Sequence, residues 1–250
     1  MLKRLLAGAA ATAAVMAPGI AAADTNAVVG VAYNLQEIES TDWDRYGISG
    51  AFSHDFSNGT VLQFDGAAER IDFGFCCLST GYAAVHYGMR SESHGFGGFV
   101  SLEEFGPISG IGVGVEGQFH FTNFLLNGSL GYLDFADAEL SGYAAQVDGA
   151  YFFTPNFAVT GLISYADEDE AFETDWTSYG VGGEWRFGSG PVSLAAGYRH
   201  LEFDDSDGDT WTIGLNFDLG TDSLQDRARS GPSFNGASAL HNNLNVVPPL

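Results

Sequence analysis

The stretch Thr210–Leu219, TWTIGLNFDL, decides the fold. Its odd-numbered positions carry Trp, Ile, Leu, Phe and Leu, and its even-numbered positions carry Thr, Thr, Gly, Asn and Asp. Alternation with period two is typical of a β-strand that has one apolar and one polar face. An edge strand of a soluble sandwich shows the same alternation, so the rest of the chain has to separate a membrane strand from a soluble one.

The N-terminus has the organisation of a secretory signal peptide. Lys3 and Arg4 precede an apolar run that is too short to span a bilayer, and small residues lead up to Ala23. We therefore expect residues 1–23 to be removed during export.

The remaining chain is strongly acidic. The full sequence of 250 residues has a formal net charge of −23, and without the basic start only seven Arg and no Lys oppose 32 acidic residues. Such a chain repels nucleic acid, which excludes that class of partner. No later segment has the roughly 18 uninterrupted apolar residues of a membrane helix. A membrane β-barrel is not excluded, because its strands give a weak, alternating signal.

Alternation recurs along the whole chain after the signal peptide, and no helical period competes with it. Most of the alternating segments match the roughly 9–11 residues that a tilted strand needs to cross the hydrocarbon layer. Twelve strands are predicted, at 26–36, 43–53, 59–69, 81–90, 95–103, 109–121, 124–134, 140–153, 157–166, 175–187, 191–203 and 210–219.

The predicted connections alternate between short turns and longer acidic loops. This asymmetry is typical of outer-membrane barrels, which have short periplasmic turns and larger outer loops. A soluble sandwich has no reason to alternate in this way. The short turns are predicted near 55–58, 91–94, 122–123, 154–156 and 188–190, and the long loops at 37–42, 70–80, 104–108, 135–139, 167–174 and 204–209.

Aromatic residues lie near the strand ends on the apolar face. Two aromatic rows at the edges of an apolar band predict the interface girdles of a membrane barrel. The row beside the short turns comprises Phe52, Phe119, Phe121, Phe124, Phe153, Phe157, Trp185, Phe187 and Phe217, and the row beside the long loops comprises Tyr33, Tyr132, Tyr165 and Tyr198.

The polar face carries most of the charged strand residues. A charge that faced lipid at mid-depth would cost roughly 2–4 kcal/mol per Arg or Lys, so these side chains should point into a lumen. They predict either a water-filled lumen that sorts solutes or an ion-pair network that fills a narrow barrel. The predicted lumen-lining residues are Arg45, Asp65, Glu69, His86, Arg90, Glu103, Glu116, Gln118, Asp148, Glu184, Arg186, Arg199 and Asp218.

The last strand resembles the C-terminal assembly signal of Gram-negative outer-membrane β-barrels. That signal has a polar residue, a Gly two positions later and then two alternate apolar residues. Thr212, Gly214, Phe217 and Leu219 fill these places. In the family this strand usually ends the chain, whereas here a further segment follows.

Taken over residues 24–219, the chain resembles the porin-like outer-membrane β-barrel proteins of Gram-negative bacteria. The resemblance implies an all-β fold, a closed antiparallel up-and-down transmembrane barrel. It also implies a place in the bacterial outer membrane, with membrane lipid and the barrel assembly machinery as partners. Residues 220–250 lose the alternation and predict a flexible polar tail, for which a lumen plug and a periplasmic tether are the functional alternatives.

Two further patterns contain residues that can bind a metal ion or form a disulfide. Asp205, Asp207 and Asp209 flank a glycine in the last outer loop and could fold onto Ca²⁺, although a solvated acidic hairpin has the same composition. No other cofactor is expected. Cys76 and Cys77 are adjacent, which leaves a strained vicinal disulfide, pairing with another chain, or free thiols as alternatives.

The architecture favours a pore for passive diffusion of small hydrophilic solutes, with a preference for cations. The alternative is a non-conducting structural or interaction barrel whose acidic loops bind cations. A lipid hydrolase is the third alternative, because His200 and Glu202 lie near the outer end of the apolar face. No Ser shares that face in their strand, so an enzyme is not expected.

Overall fold

The computed structural model describes residues 25–38, 41–74, 76–138, 140–169, 174–204 and 206–244. The predicted signal peptide and Asp205 lie outside these ranges. Twelve strands follow one another along the described chain: β1 Thr25–Ile38, β2 Thr41–Asp55, β3 Thr60–Asp72, β4 Cys77–Arg90, β5 His94–Phe105, β6 Ile108–His120, β7 Phe124–Phe135, β8 Leu140–Thr154, β9 Phe157–Glu168, β10 Thr174–Arg186, β11 Val192–Phe203 and β12 Asp207–Leu219.

Each strand pairs with its neighbours in the sequence, and β1 pairs with both β2 and β12. Val29 lies opposite Phe217 and Ala27 opposite Leu219 in the antiparallel pair that closes the sheet. The predicted twelve-stranded, antiparallel, up-and-down barrel is therefore confirmed. Because the sheet is closed, both edges of every strand are hydrogen-bonded to a neighbour. A sheet in lipid requires this, since no water is present to bond to a free edge.

The barrel has a proximal end, where β1 begins and β12 ends, and a distal end. The predicted difference in loop length between the two ends is wrong, because the distal connections between consecutive strands span no more residues than the proximal ones. The polar residues that suggested long loops instead continue the strands: Glu37 pairs with Asp42, and Cys77 pairs with Asp72. The sequence of a strand end outside the hydrocarbon layer resembles that of a loop, because its outward-facing residues are polar and no longer alternate with apolar ones.

The outer face carries the apolar side chains that alternation assigned to it. Val31, Val115 and Ile163 are each more than half exposed in the middle of their strands. Aromatic residues lie exposed towards both ends of the barrel, for example Phe153 and Trp185 proximally and Tyr33 and Tyr132 distally. An exposed apolar belt of this kind fits a hydrocarbon environment.

Residues 221–244, which we call the plug segment, return into the barrel. They form helix α1, Leu224–Ser230, and helix α2, Gly236–Leu244, and α2 contacts strands β4 to β9. The expected flexible tail is therefore wrong for this segment. A polar composition fits a segment inside a polar lumen as well as a tail in solvent. Composition alone therefore does not separate the two. Within the described residues, no helix is long and apolar enough to span a bilayer.

Glycines on the wall make room for α2. Leu240 lies against Gly112 and Gly131, where an added Cβ would come within 2.9 and 3.1 Å of the leucine side chain. On the helix, a Cβ at Gly236 would lie 2.6 Å from the Phe99 ring. The close approach of helix and wall therefore depends on residues without side chains.

Candidate functional site

Helix α1 closes part of the proximal end by bonding to the turns there. The Gln225 amide nitrogen donates to the Pro155 carbonyl at 3.0 Å, and its side chain donates to the Thr122 carbonyl at 2.7 Å. Arg229 donates to the carbonyls of Phe121 and Thr122 at 2.7 and 2.8 Å. These bonds fix the segment across the mouth of the barrel.

Arg227 is the main electrostatic anchor of the plug segment. It donates to both carboxylate oxygens of Glu184 and, at 2.9 Å, to Asp218. Arg186 lies 3.7 Å from Asp218 and donates to the Thr221 carbonyl at 2.8 Å. Two arginines and two carboxylates thus form one network between β10, β12 and the plug segment, which was not predicted because its central cation lies in the supposed tail.

Between the helices, the backbone of the plug segment bonds to wall side chains. The Gln63 amide donates to the Phe234 carbonyl at 2.6 Å and accepts from the Phe234 amide nitrogen at 3.1 Å. The Arg90 guanidinium lies over the Phe234 ring, 5.4 Å from its centre, and lies 3.1 Å from Asp55. Glu116 accepts from the Gly236 amide nitrogen at 2.7 Å, at the start of α2.

Helix α2 continues these contacts towards the distal half. His241 Nδ1 lies 2.6 Å from the buried Glu103 carboxylate. Asn243 donates to Gln146 at 3.1 Å and accepts from Arg199, which also donates to the Asn242 carbonyl at 3.1 Å. The plug segment is therefore bonded to the wall along its whole described length.

The wall also pairs its own charges. His86 is fully buried, with its ring nitrogens 2.5 Å from Asp65 and 2.6 Å from Glu116. Arg45 and Glu69 form a second pair at 2.6 Å. All residues predicted to line the lumen have buried or half-buried side chains opposite the apolar belt. Their role in sorting solutes remains a prediction.

Sequence reasoning missed the plug residues that bond to this wall. One signal was available, because Ser223 followed three residues later by Asp226 is a helix-start pattern. In the structure the Ser223 hydroxyl accepts from the Asp226 amide nitrogen at 3.0 Å. No comparable local signal places Phe234 or His241, because their partners lie more than a hundred residues away.

Cavities in the described part of the chain include one at the proximal mouth and one inside the barrel. The vestibule, at the proximal mouth, has a volume of about 760 Å³ and is lined by residues that include Val61, Arg90 and Ser230. The chamber has a volume of about 390 Å³ and lies between the plug segment and strands β1 to β4 and β12. Gln63 and Phe234 line the chamber, and both are buried.

The predicted metal residues lie at the distal end. Asp209 accepts from Tyr198 at 2.6 Å and lies 2.8 Å from His200, on the outer face of β11 and β12. Asp207 begins β12, and Asp205 lies outside the described residues. Among the described residues, no three His, Cys, Asp or Glu side chains form a group suited to a metal ion. Calcium binding by this hairpin remains a prediction.

The four residues that resemble an assembly signal lie on β12, the strand that closes the barrel. Phe217 and Leu219 are on its outer face with exposures of 45% and 38%. Thr212 points inward, where its hydroxyl donates to Asn34 of β1 at 2.6 Å. Gly214 lies opposite Ala32 of β1. Their function in assembly remains a prediction.

The adjacent cysteines lie at the distal end, where Cys76 precedes β4 and Cys77 begins it. Both are exposed free thiols, so the structure does not contain the vicinal disulfide that was one alternative. Arg70 donates to Cys77 Sγ at 2.9 Å across the hairpin.

No family model and no curated protein matches the sequence. Solved structures do resemble the fold. A NanC porin matches with a TM-score of 0.61 at 10% identity, over 76% of this chain and all of that one. An outer membrane channel from Pseudomonas putida F1 matches with a TM-score of 0.58 at 11% identity, over 78% and 95%. A KdgM porin matches with a TM-score of 0.54 at 11% identity, over 76% and 99%.

These likenesses agree with the physical features of the barrel. The sheet is closed, its outer belt is apolar, and its solved neighbours are outer-membrane porins and channels. The protein therefore has the fold of the porin-like outer-membrane β-barrels.

Proposed function

We propose that the protein is a channel for the passive diffusion of small hydrophilic solutes, that it prefers cations, and that the plug segment narrows its passage. The observation that carries this proposal is how the plug segment is held. Arg227, His241 and Asn243 attach it through ion pairs and hydrogen bonds, groups that water can also satisfy. These polar contacts can be exchanged for water, whereas the buried side chains of Leu224 and Leu240 hold the segment by apolar packing and make openings rare.

The cation preference follows from the carboxylates that the plug segment covers. Glu103, Glu116, Asp148, Glu184 and Asp218 all bond to it. When the segment moves, these groups face the lumen without their present partners. Carboxylates that line a low-dielectric passage concentrate cations there.

The test is single-channel recording in a planar bilayer. We expect small steps from the full chain and steps several-fold larger after deletion of residues 221–250. A deletion variant that is folded, as judged by heat-modifiable mobility in gels, but never conducts would overturn the proposal.

A non-conducting structural barrel is the second candidate. It is favoured by the closed contact between Gln63 and Phe234, which are 1% and 3% exposed and lie between the two cavities. This candidate requires that the full chain stay silent at all voltages, whereas the channel proposal requires at least rare openings.

Hydrolysis of lipid is not proposed. His200 and Asp209 pair on the outer face, but among the described residues no serine hydroxyl hydrogen-bonds to either. The pair therefore lacks the serine nucleophile that a Ser-His-Asp hydrolase needs. Release of fatty acid from phospholipid or lipid A by the pure protein, lost in His200→Ala, would contradict this assignment.

A further inference from the structure

The chamber and the vestibule lie one above the other along β3. Inward-facing Val61 lines the vestibule, and the next inward-facing residues, Gln63 and Asp65, line the chamber. The plug segment follows the same order, since Ser230 lines the vestibule and Ser238 the chamber. The two cavities are therefore successive spaces on one side of the plug segment.

A constriction separates them. The side-chain amide of Gln63 donates to the carbonyl of Phe234 and accepts from its amide nitrogen. The Phe234 ring lies beneath the Arg90 guanidinium. The side chain of Asn242, at the other end of the chamber, is exposed. The chamber is thus closed towards the vestibule, and Asn242 marks its opposite end.

The charges in the chamber wall are already paired. Asp65 lies 2.5 Å from His86 and accepts from the Tyr82 hydroxyl at 2.9 Å. Glu69 pairs with Arg45 at 2.6 Å, and Arg227 is bound by Glu184 and Asp218. A charged solute entering the chamber would lose water without gaining an unpaired counter-charge, and this desolvation is unfavourable.

The other polar groups of the chamber are neutral. They include the hydroxyls of Ser49 and Ser238 and the amides of Asn216 and Asn242. Hydroxyls and amides both donate and accept hydrogen bonds, as do the hydroxyls of a sugar or polyol. The volume of about 390 Å³ is within the range of small-molecule sites.

We propose that the chamber binds a small, uncharged, polyhydroxylated solute, and that the contact between Gln63 and Phe234 controls its passage to the vestibule. This inference rests on the proposed channel function and names the class of solute. The ions that carry current pass when the plug segment moves and the lumen carboxylates are uncovered, whereas the uncharged solute is held by the neutral groups of the chamber while the segment is in place.

Binding is tested on the detergent-solubilised full chain by saturation-transfer NMR, with glucose as the probe. We expect a glucose signal that falls at least fivefold in Ser49→Phe, because the new ring fills the chamber. The matched control is Ser57→Phe, which places the same ring in the vestibule and should leave the signal unchanged. Ser49→Leu replaces Ser49→Phe if the larger variant fails to assemble.

The same experiment tests the charge of the solute. Glucosamine and glucuronate at equal concentration should each give a signal several-fold weaker than that of glucose. An equal or stronger signal from either, an absent glucose signal, or no loss in the Ser49 variants would overturn the proposal.

Passage is tested by liposome swelling in glucose. Gln63→Ala removes both hydrogen bonds to the Phe234 backbone and should raise the swelling rate several-fold. An unchanged rate would show that the contact between Gln63 and Phe234 does not control passage. The result is separable from the channel function. If the variant without residues 221–250 conducts and the full chain does not bind glucose, the channel function is supported and solute binding in the chamber is rejected.

Discussion

Arg227 of the plug segment and Asp218 of the closing strand are joined by an ion pair of 2.9 Å, although only eight residues separate them in the sequence. The chain therefore turns inward directly after it completes the barrel. Glu184 of β10 completes the site, and its carboxylate meets the same guanidinium. One arginine thus connects two wall strands to the plug segment.

Replacing Arg227 by Gln should loosen the plug segment. Removing one partner of a largely buried ion pair costs on the order of 3 kcal/mol, because the remaining carboxylates lose their counter-charge. We expect more frequent openings in single-channel records, by tenfold or more. In Glu184→Gln combined with Arg227→Gln, part of this effect should be recovered, whereas an additive result would show that the two residues do not act on each other.

Deleting residues 221–250 should leave a folded barrel. The strands satisfy their backbone groups without the plug segment, and the exposed carboxylates of the lumen can be hydrated. The measurement is heat-modifiable mobility together with circular dichroism of the refolded variant. Failure to fold would show that the segment is a required core of the barrel.

A steric change should displace α2 without removing a charge. A Cβ at Gly236 would lie 2.6 Å from the Phe99 ring, so Gly236→Val should force helix and wall apart. We expect larger conductance steps than in the unmodified protein. Ser238→Val, which adds a similar side chain facing the chamber, is the control and should not enlarge the steps.

Ion selectivity should follow the charges of the lumen. Under a KCl gradient, the reversal potential of the variant lacking residues 221–250 should indicate cation preference, falling but not vanishing as salt shortens the Debye length from roughly 30 Å at 0.01 M to 3 Å at 1 M. Glu116→Gln with Asp148→Asn should weaken the preference, and Arg90→Gln with Arg186→Gln should strengthen it. A reversal potential of the anion-selective sign would contradict the proposed cation preference.

The resemblance of β12 to an assembly signal predicts a defect in biogenesis. Phe217 and Leu219 lie on the outer face, beside the seam with β1. Changing both to Asp should prevent insertion, and the protein should be degraded before it reaches the outer membrane. Phe217→Leu with Leu219→Val keeps the face apolar and should assemble normally, as measured by membrane fractionation. Normal insertion of the Asp variant would reject the assignment.

The sequence predicted the barrel because the pattern of each strand reflects its local surroundings. Ile213 and Leu215 face the outside and Thr212 the inside, so lipid and lumen both leave a signature in adjacent residues. The same reasoning failed at the distal strand ends. Glu37 and Asp42 pair at such an end and are both exposed, so polar residues stand where the apolar belt would otherwise mark a strand.

A lumen plug was one alternative for the last residues, but the contacts of the plug segment could not be predicted, for a different reason. Its position depends on partners that are distant in sequence, such as Gln63 for Phe234 and Glu103 for His241. Alternation assigns Gln63 and Glu103 to the polar face of their strands, but a lumen filled by water and one filled by a polar helix impose the same pattern on the wall. Only the geometry separates these two alternatives.

The position of α2 has a consequence for the order of folding. The helix contacts β4 to β9, whereas the seam between β1 and β12 lies on the other side of the barrel. Pairing of β1 with β12 joins residues nearly the whole length of the barrel apart, and contacts of such long range form late because loop closure is entropically costly. The contacts of α2 with β8 and β9 span a shorter stretch of sequence than the seam does, so we expect α2 to lie on these strands first and to act as a template around which the sheet curls before its edges meet.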